Sequence, residues 1–470
     1  MSDTSPVIVW FRRDLRTHDH PPLHAAAQTG RPVVALYIRE HDVFPMGAAS
    51  DWFLHYALKS LQGQLDVPLI IRRGAAAEIM ADVARVTGAD MVYHGRRYER
   101  DGREADERVA KALQAQGVAV ETSNTMLASE PGMVKTDGGT PYKVFTPWYR
   151  KFREVVDVPE PLPAPDTLKR YTGNVESLSV DDLGLLPTKP DWGKKMEPYW
   201  DPGEPGALEA LDEFMADPVR FYAEYRDRPD YDRTSRLSPF LAHGCISPRQ
   251  CWQANEDADP GSDKFLSELG WREFSYELLS NYPDMRDRNI NDKFDGFEWR
   301  EGTDADRDFE AWTRGQTGYP FVDAGMRQLW ETGWMHNRMR MITASFLIKH
   351  LLIDWRRGER WFWDCLCGGD PANNAQGWQW VAGSGVDASP FFRIFNPFTQ
   401  GEKFDPKGDY TRKWVPELAD LPTRHLQTPW KAPDNILADA NVTLGETYPE
   451  PIVDHSFARE RALAAYKDTK

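Results

Sequence analysis

The chain has 470 residues and a formal net charge of −16, from 57 Lys and Arg against 73 Asp and Glu. Its length allows two or more domains with a large core, and its acidic balance excludes a protein that binds nucleic acid through overall positive charge. DNA contact would need a local positive patch. The candidate is the run 334–360, with Arg338, Arg340, Lys349, Arg356, Arg357 and Arg360. Composition alone favours a solvated helix face for this run.

The four cysteines are Cys245, Cys251, Cys365 and Cys367. They are too few for a disulfide framework and lack the spacing of a zinc site, so we expect buried free thiols and no metal. The N-terminus has no basic segment before its short apolar run, and the longest later apolar run is broken by charged residues. We therefore expect no membrane span and, by default, a cytoplasmic protein.

Strand and helix patterns alternate through the first 120 residues. Short apolar runs predict buried strands at 7–11, 33–38, 69–71, 91–93 and 118–120. Helical patterns lie near 22–28, 50–65, 75–87 and 103–116. The alternation predicts an α/β domain over residues 1–135, built on a Rossmann-like, five-stranded parallel sheet. No Gly-x-Gly-x-x-Gly follows the first strand, so the pattern does not indicate a dinucleotide site there.

A proline-rich stretch separates this domain from a helical one. Prolines between 159 and 205 break any regular element and favour an extended path, so residues 136–205 are interpreted as an interdomain connection. From residue 206 the pattern is helical, and it loosens into loops and short helices after Asn396. We therefore predict a large, all-α domain over 206–470. The chain has no long low-complexity tail.

One helix of this domain carries polar residues where a ligand could bind. It is predicted to begin near Asn337 and to continue to about Trp355. Arg338 and Arg340 in its first turn oppose the helix dipole, so a carboxylate or a phosphate should lie nearby. Asn337 and Met341 share one face, and an amide and a thioether beside indoles suit a flat heteroaromatic ligand. From this helix alone, a capped core helix is an equally good interpretation.

Two other stretches carry candidate binding residues. The hydroxyls of 234–238 precede a helical pattern, where they are usually N-caps but can also hold a phosphate with helix N–H groups. Glu268 and Trp271 are three residues apart, hence on one helix face. A carboxyl beside an indole could bind the edge of a base while the ring stacks on it; a core pair is the alternative.

Many short motifs of rare residues resemble those of the DNA photolyase/cryptochrome family. They occur in the same order as in the family and span nearly the whole chain. They are 10–16, 234–244, 267–274, 318–327, 334–341, 353–356, 377–380 and 392–397. The chain is most similar to bacterial photolyases that act on cyclobutane pyrimidine dimers. The resemblance implies an FAD-binding helical domain and light-driven repair of UV-damaged DNA by reduced FAD (FADH⁻). We further expect a monomer with no obligate protein partner.

The resemblance also implies roles for individual residues. Cofactor contacts fall on Tyr222, Thr234, Ser235, Arg236, Leu237, Ser238, Phe265, Arg272, Arg340, Asp370 and Asn374, the last facing flavin N5. Contacts to the flipped dimer fall on Glu268, Trp271, Asn337, Arg338, Met341 and Trp380. Electrons would pass from the surface through Trp299, Trp355 and Trp378, all of which are core residues without the resemblance.

Two glycines depart from the family pattern. Gly102 stands where folate-type relatives tend to carry a glutamate, which leaves undecided whether an antenna chromophore is a methenyltetrahydrofolate or a deazaflavin, and whether one is present. Gly368 stands where many relatives place an aspartate paired with the arginine that matches Arg340. An unpaired buried arginine is costly, so we expect either that Asp370, the flavin phosphates or water satisfy Arg340, or that the electrostatics around the flavin differ from those of relatives.

Three other functions are open. A blue-light photoreceptor of the cryptochrome type would lack repair activity, and the set formed by Glu268, Trp271, Asn337 and Met341 argues against it. A (6-4) photolyase uses histidines near this helix; His336 is present, but the block matches the cyclobutane-dimer type. An FAD oxidoreductase independent of light fits only if the aromatic set is entirely core.

Overall fold

The computed structural model describes residues 4–255 and 261–469. Two compact units divide the chain. Unit 1 comprises Met1–Arg220, Ser235–Pro283 and Cys367–Ala372, and unit 2 comprises Phe221–Thr234, Asp284–Leu366 and Asn373–Lys470. The boundaries of these units differ from those of the segments 1–135, 136–205 and 206–470 that were predicted from the sequence. One reason is that residues 261–281 form a helix that packs on residues 145–155, which places both stretches in unit 1.

Within residues 4–255, the strands of unit 1 form a five-stranded parallel sheet. The strands are β1 (Val7–Phe11), β2 (Val33–Glu40), β3 (Leu69–Gly74), β4 (Met91–Gly95) and β5 (Ala119–Ser123), in the order β3-β2-β1-β4-β5. Val7 lies opposite both Val33 and Met91. Every residue of β1 is buried, as expected for a central parallel strand covered on both faces. The predicted Rossmann-like sheet is confirmed, with strand ends shifted by a few residues.

Helices cover the sheet and are the main regular elements of the remaining chain. Up to residue 281 they are α1 (Pro21–Gln28), α2 (Ala48–Gln64), α3 (Ala76–Thr87), α4 (Arg100–Gln114), α5 (Phe145–Val155), α6 (Glu204–Ala216), α7 (Tyr222–Tyr225), α8 (Ser238–His243), α9 (Pro248–Gln253) and α10 (Gly261–Asn281). The later ones are α11 (Thr303–Thr313), α12 (Pro320–Thr332), α13 (Asn337–Ser345), α14 (Trp355–Cys365), α15 (Pro371–Ala382), α16 (Pro397–Phe404), α17 (Asp409–Trp414), α18 (Thr423–Leu426), α19 (Asp434–Asp439) and α20 (His455–Asp468).

The helix predicted from Asn337 to Trp355 is confirmed as far as His350 and is wrong beyond that residue. α13 continues as a π-helix over Phe346–His350 and then stops. Leu352 adopts a positive φ of 52°, which ends the helical path. The Asp354 carboxylate then accepts the backbone N–H of Arg356 and caps α14. Trp355 is therefore the first residue of a new helix.

The candidate positive run 334–360 is largely neutralised in unit 2. Three of its arginines pair with carboxylates: Arg338 with Asp227 (2.7 Å), Arg356 with Asp354 (3.0 Å) and Arg357 with Asp306 (2.9 Å). Lys349 is buried and donates to the carbonyl oxygen of Arg393. The run is therefore not a continuous cationic face. The carboxylate predicted beside the first turn of α13 is confirmed as Asp227.

All four cysteines are buried thiols outside any disulfide, as predicted. Burial raises the pKa of the Cys245 and Cys251 thiols to about 12. The described part of the chain contains no helix that is both long and apolar enough to cross a lipid bilayer.

Candidate functional site

Asn374 on α15 is held by a buried glutamate of unit 2. Its amide nitrogen donates to Glu359 Oε1 (2.9 Å) and to the Glu359 carbonyl oxygen (3.1 Å). Burial raises the pKa of Glu359, while Arg286, whose Nε lies 3.8 Å from the carboxylate, opposes that rise. Because both of these partners are acceptors, they fix which end of the Asn374 amide is the nitrogen. The carbonyl oxygen of Asn374 remains to accept a hydrogen bond from a ligand.

The acceptor observed for Arg340 is a backbone carbonyl and not Asp370, one of the acceptors expected from the sequence. Its Nε donates to the carbonyl oxygen of Met335 (2.9 Å). Burial lowers the pKa of the Arg340 guanidinium to about 10. A backbone carbonyl neutralises no charge, so a cation that burial destabilises to this degree favours an anionic ligand.

The predicted substrate residues of α13 differ in exposure. Asn337 is exposed, and Met341 is half-buried on the same helix. Arg338 packs its guanidinium 4.5 Å from the Phe404 ring in addition to its ion pair with Asp227. A DNA phosphate at Arg338 would therefore share the guanidinium with a carboxylate. Trp380, on α15, is half-buried beside the core of unit 2.

His336 caps α13 and is not available as a proton donor near neutral pH. Its Nδ1 accepts the backbone N–H of Arg338 (3.1 Å), which places the ring proton on Nε2. Burial lowers the pKa of His336 to about 3. The imidazole is therefore neutral over the whole physiological range.

The predicted phosphate-binding stretch is a turn that leads into α8. Arg236 has a positive φ of 50°, and the Leu237 carbonyl accepts the first helical bond, from Leu241. Gly368 lies against this turn within unit 1. A Cβ atom at Gly368 would come within 2.7 Å of Pro239 Cα and 3.0 Å of the Ser238 carbonyl oxygen. The glycine is therefore required by the close approach of two backbone segments.

Asp370 and Arg272 lie in one buried polar cluster of unit 1. Asp370 accepts hydrogen bonds from the Tyr276 hydroxyl (2.8 Å) and the Ala372 N–H (3.0 Å). Arg272 donates through Nη1 to the Met126 carbonyl oxygen (2.8 Å) and lies over the Tyr276 ring. Among the described residues its buried Nη2 has no acceptor. Although Nη1 of Arg272 also pairs with Glu273 (3.3 Å), the Nη2 donor of this buried cation fits a phosphate oxygen.

Glu268 and Trp271 both lie on α10, as predicted. Glu268 pairs with Lys264 one turn earlier (3.0 Å), and both Glu268 and Trp271 are half-buried. Phe265, on the same helix, is buried and packs on Phe214. On the other unit, Tyr222 is buried, with the Arg226 guanidinium over its ring. Thr234 is half-buried in the same unit.

The three predicted electron-transfer tryptophans belong to a single hydrophobic core in unit 2. Trp355 and Trp378 are buried within it, and Trp299 packs on its margin. Trp378 contacts the Phe362 and Trp312 rings, and Trp299 packs on Phe297. Trp355 donates its indole N–H to Asn289. Trp299 is therefore the most exposed of the three tryptophans, as a path that ends at the surface requires.

Known proteins resemble this chain over its full length. Residues 7–166 match the family model described as DNA photolyase, and residues 265–468 match the FAD binding domain of DNA photolyase. A deoxyribodipyrimidine photo-lyase of Agrobacterium fabrum is 49% identical over 99% of this chain and 98% of its own length.

The chain belongs to the photolyase/cryptochrome family. A bacterial class III photolyase from Agrobacterium tumefaciens has the same fold, with a TM-score of 0.97 at 48% identity over 99% of this chain and 98% of that one. Arabidopsis thaliana cryptochrome-2 is 37% identical over 98% of this chain and 79% of its own length. The predicted family and fold are confirmed, and the match to the FAD binding domain supports FAD as the cofactor.

Side chains of this photolyase-family chain fit FAD on two structural grounds. Arg272 offers a buried donor for a phosphate, and Asn374 offers a carbonyl oxygen whose direction is fixed. Glu359, which fixes the direction of the Asn374 amide, was not predicted from the sequence as a site residue. An acidic residue inside the basic run 356–360 was the available signal, but its partner Asn374 lies 15 residues away on another helix.

Proposed function

We propose that this protein repairs cyclobutane pyrimidine dimers in DNA by light-driven electron transfer from reduced FAD. The observation that carries the proposal is the 49% identity, over nearly all of both chains, to a relative named deoxyribodipyrimidine photo-lyase. Such an enzyme is a carbon–carbon lyase. Bound in its reduced form, FAD would supply the photoexcited electron that opens the cyclobutane ring, and that electron would return to the cofactor once the two pyrimidines have separated, so the cycle consumes no reductant.

Each set of residues has its own task in this proposal. Arg272, with the turn at Ser235 and Ser238, holds the phosphates of the cofactor. Asn374, oriented by Glu359, accepts the N5–H of the flavin through its carbonyl oxygen. Trp378, Trp355 and Trp299 would carry electrons from an external reductant at the surface to an oxidised flavin, which prepares the reduced cofactor and takes no part in the repair cycle itself.

The dimer is flipped out of the duplex before it reacts, at a lower cost than for an undamaged pair because damaged bases stack poorly. Glu268 accepts hydrogen bonds from the base edge, and Trp271 and Trp380 stack on the two rings. Asn337 and Met341 complete the contacts from α13, and Arg338 contacts the backbone. The protein works as a cytoplasmic monomer, and its DNA affinity falls with salt because the contacts to phosphates release counterions.

The state of His336 favours this substrate over a (6-4) lesion. That branch of the family uses histidines in this region for proton transfer. His336 is buried, serves as a helix cap and has a pKa lowered to about 3, so it does not donate a proton at neutral pH. A signalling photoreceptor without repair activity is disfavoured by the retained Glu268, Trp271, Asn337 and Met341.

The N-terminal sheet would hold a second, antenna chromophore. In sheets of this kind ligands bind at the carboxyl ends of the strands where the strand order reverses, here between β1 and β4. Gly102 has no side chain, so it supplies no glutamate contact to a folate. Chromatography and absorbance of the extracted chromophore separate a methenyltetrahydrofolate from a deazaflavin.

The test is to illuminate the purified, reduced protein with UV-damaged oligothymidine and follow the recovery of thymine absorbance. Recovery in blue light and not in the dark supports the proposal. Recovery in the dark would indicate chemistry without light, and no recovery would leave a photoreceptor. A parallel reaction on an oligonucleotide with a single (6-4) lesion, expected to stay unrepaired, tests the substrate.

A further inference from the structure

Three aromatic rings of unit 1 stack in a row that we call the aromatic ladder, formed by Tyr149, Phe145 and Trp271. The Phe145 and Trp271 rings lie almost parallel, with an interplanar angle of 13° and centroids 3.8 Å apart. The Tyr149 and Phe145 rings are also stacked, at 15° and 5.3 Å. The ladder therefore leads from α5 to the indole that contacts the dimer in the proposed function.

The sequence builds the ladder from two local features. Phe145 and Tyr149 are four residues apart on α5, so their side chains lie on one face of the helix. Gly270 precedes Trp271 on α10, and a Cβ atom at Gly270 would come within 2.5 Å of the Tyr149 ring. Only the absence of a side chain at Gly270 lets the Tyr149 ring lie against α10. The two helices thus approach closely where the rings stack.

The ladder restricts the indole of Trp271. Phe145 covers one face of that ring at van der Waals distance, so the indole cannot rotate toward α5. Trp271 is nevertheless half-exposed, whereas Phe145 is buried. A ring that is held from one side and accessible elsewhere is ready to stack on a ligand without first losing rotational freedom.

We propose that Phe145, supported by Tyr149, is a positioning residue that holds the Trp271 indole in the orientation that stacks on the pyrimidine dimer. The proposal rests on the proposed function, because Trp271 contacts the dimer only there. Phe145 itself touches neither dimer nor cofactor in this account. Its effect therefore passes entirely through Trp271 and falls on dimer affinity.

Phe145 also contributes to the core, where it contacts Trp148 and Phe274, so the test must separate positioning from packing. The test variant is Phe145→Leu, and the matched control is Phe152→Leu. Phe152 lies on the same helix, is fully buried and packs on Trp148, Tyr149 and Trp252. Thermal unfolding and FAD absorbance report packing in both variants.

The decisive measurement is the dark dissociation constant for UV-damaged oligothymidine, together with the repair rate at saturating substrate. A base–aromatic stack contributes a factor of roughly five to 150 in affinity. Phe145→Leu leaves the Trp271 indole in place and removes only its positioning, so it should cost only part of that factor. We expect it to weaken binding about three- to tenfold and to leave the saturated repair rate unchanged. Phe152→Leu should leave the dissociation constant at the parental value. Equal weakening in both variants would overturn the proposal.

A double-mutant cycle with Trp271→Leu tests the route of the effect. If Phe145 acts through Trp271, Phe145→Leu weakens binding no further in the Trp271→Leu background. Losses that multiply would overturn the proposal, and so would Trp271→Leu binding dimers as the parent does. Failure of the parental protein to repair dimers would refute the proposed function itself. A parent that repairs, with Trp271→Leu weakened and Phe145→Leu unchanged, would refute only the positioning role.

Discussion

Gly368→Ala should destabilise the protein, although replacing glycine by alanine usually does the opposite. The added Cβ atom would lie 2.7 Å from Pro239 Cα, about 0.7 Å short of the 3.4 Å at which ordinary contacts begin. Its neighbours at Pro239 and Ser238 are backbone atoms, which cannot move away as a flexible side chain does. The strain must therefore spread into the turn that leads to α8.

The expected size of the effect follows from two opposing contributions. Overpacking by one carbon typically costs about 1–3 kcal/mol. The lower entropy of the unfolded chain with alanine returns about 0.4–1 kcal/mol. The difference is a net loss in the free energy of unfolding centred near ~1.3 kcal/mol, and at most ~2.6 kcal/mol. Because Ser238 belongs to the proposed phosphate-binding turn, FAD should also dissociate more readily.

Urea unfolding of the FAD-loaded protein measures the first effect, and the ratio of flavin to protein absorbance after dialysis measures the second. Gly63→Ala is the control, since Gly63 lies exposed near the end of α2 with no atom within 4 Å of an added Cβ. It should stabilise the protein by about 0.5–1 kcal/mol. A Gly368→Ala protein as stable as Gly63→Ala, with FAD fully retained, would refute the reasoning.

Other substitutions test the neighbouring parts of the site. Asn374→Asp would set a second carboxylate about 3 Å from Glu359, and like charges raise the folded-state pKa of the pair. Urea unfolding at several pH values should therefore show that the variant is less stable than the parent at pH 8 and that this difference shrinks as the pH falls. A difference that grows as the pH falls would contradict this prediction. His336→Asn keeps an N-cap acceptor. The folded-state pKa of His336, about 3, is below its unfolded value, so the parent loses up to about 1.4 kcal/mol per pH unit below about pH 6.5 through this group. The His336→Asn variant should lose less stability than the parent by this amount as the pH falls, whereas His41→Asn, a change at an exposed histidine, should lose as much stability as the parent. Equal pH slopes of stability for the parent and His336→Asn would contradict the assignment. Trp378→Phe should slow photoreduction of oxidised flavin at least tenfold, on the order of 1.4 kcal/mol in the barrier; photoreduction at the parental rate would refute the electron path.

The sequence predicted the sheet of unit 1 well because its determinants are local. A run such as Val7–Phe11 is apolar on both faces, which is typical of a central parallel strand. The break between α13 and α14 was missed for the opposite reason. Nothing in the apolar pattern near Leu352 indicates a left-handed backbone, and Asp354 acts as a cap only once that break exists.

The sequence indicated which kinds of interaction to expect in the candidate site, but not which residues form them. The dipole argument required an anion beside Arg338, but its partner Asp227 lies 111 residues earlier, and no local pattern joins them. Gly368 was recognised as a departure from the family. The reason for it, contact with the backbone of Ser238 and Pro239, depends on segments more than 100 residues apart.

The sequestration of every native thiol has a practical consequence for spectroscopy. The thiolate is the nucleophile that reacts with maleimide and spin-label reagents, and burial keeps Cys245 and Cys251 protonated, with pKa values of about 12. A single cysteine placed on the surface should therefore react alone, without removal of the native ones. Distances between such a label and a bound oligonucleotide could then be measured in the otherwise unaltered protein.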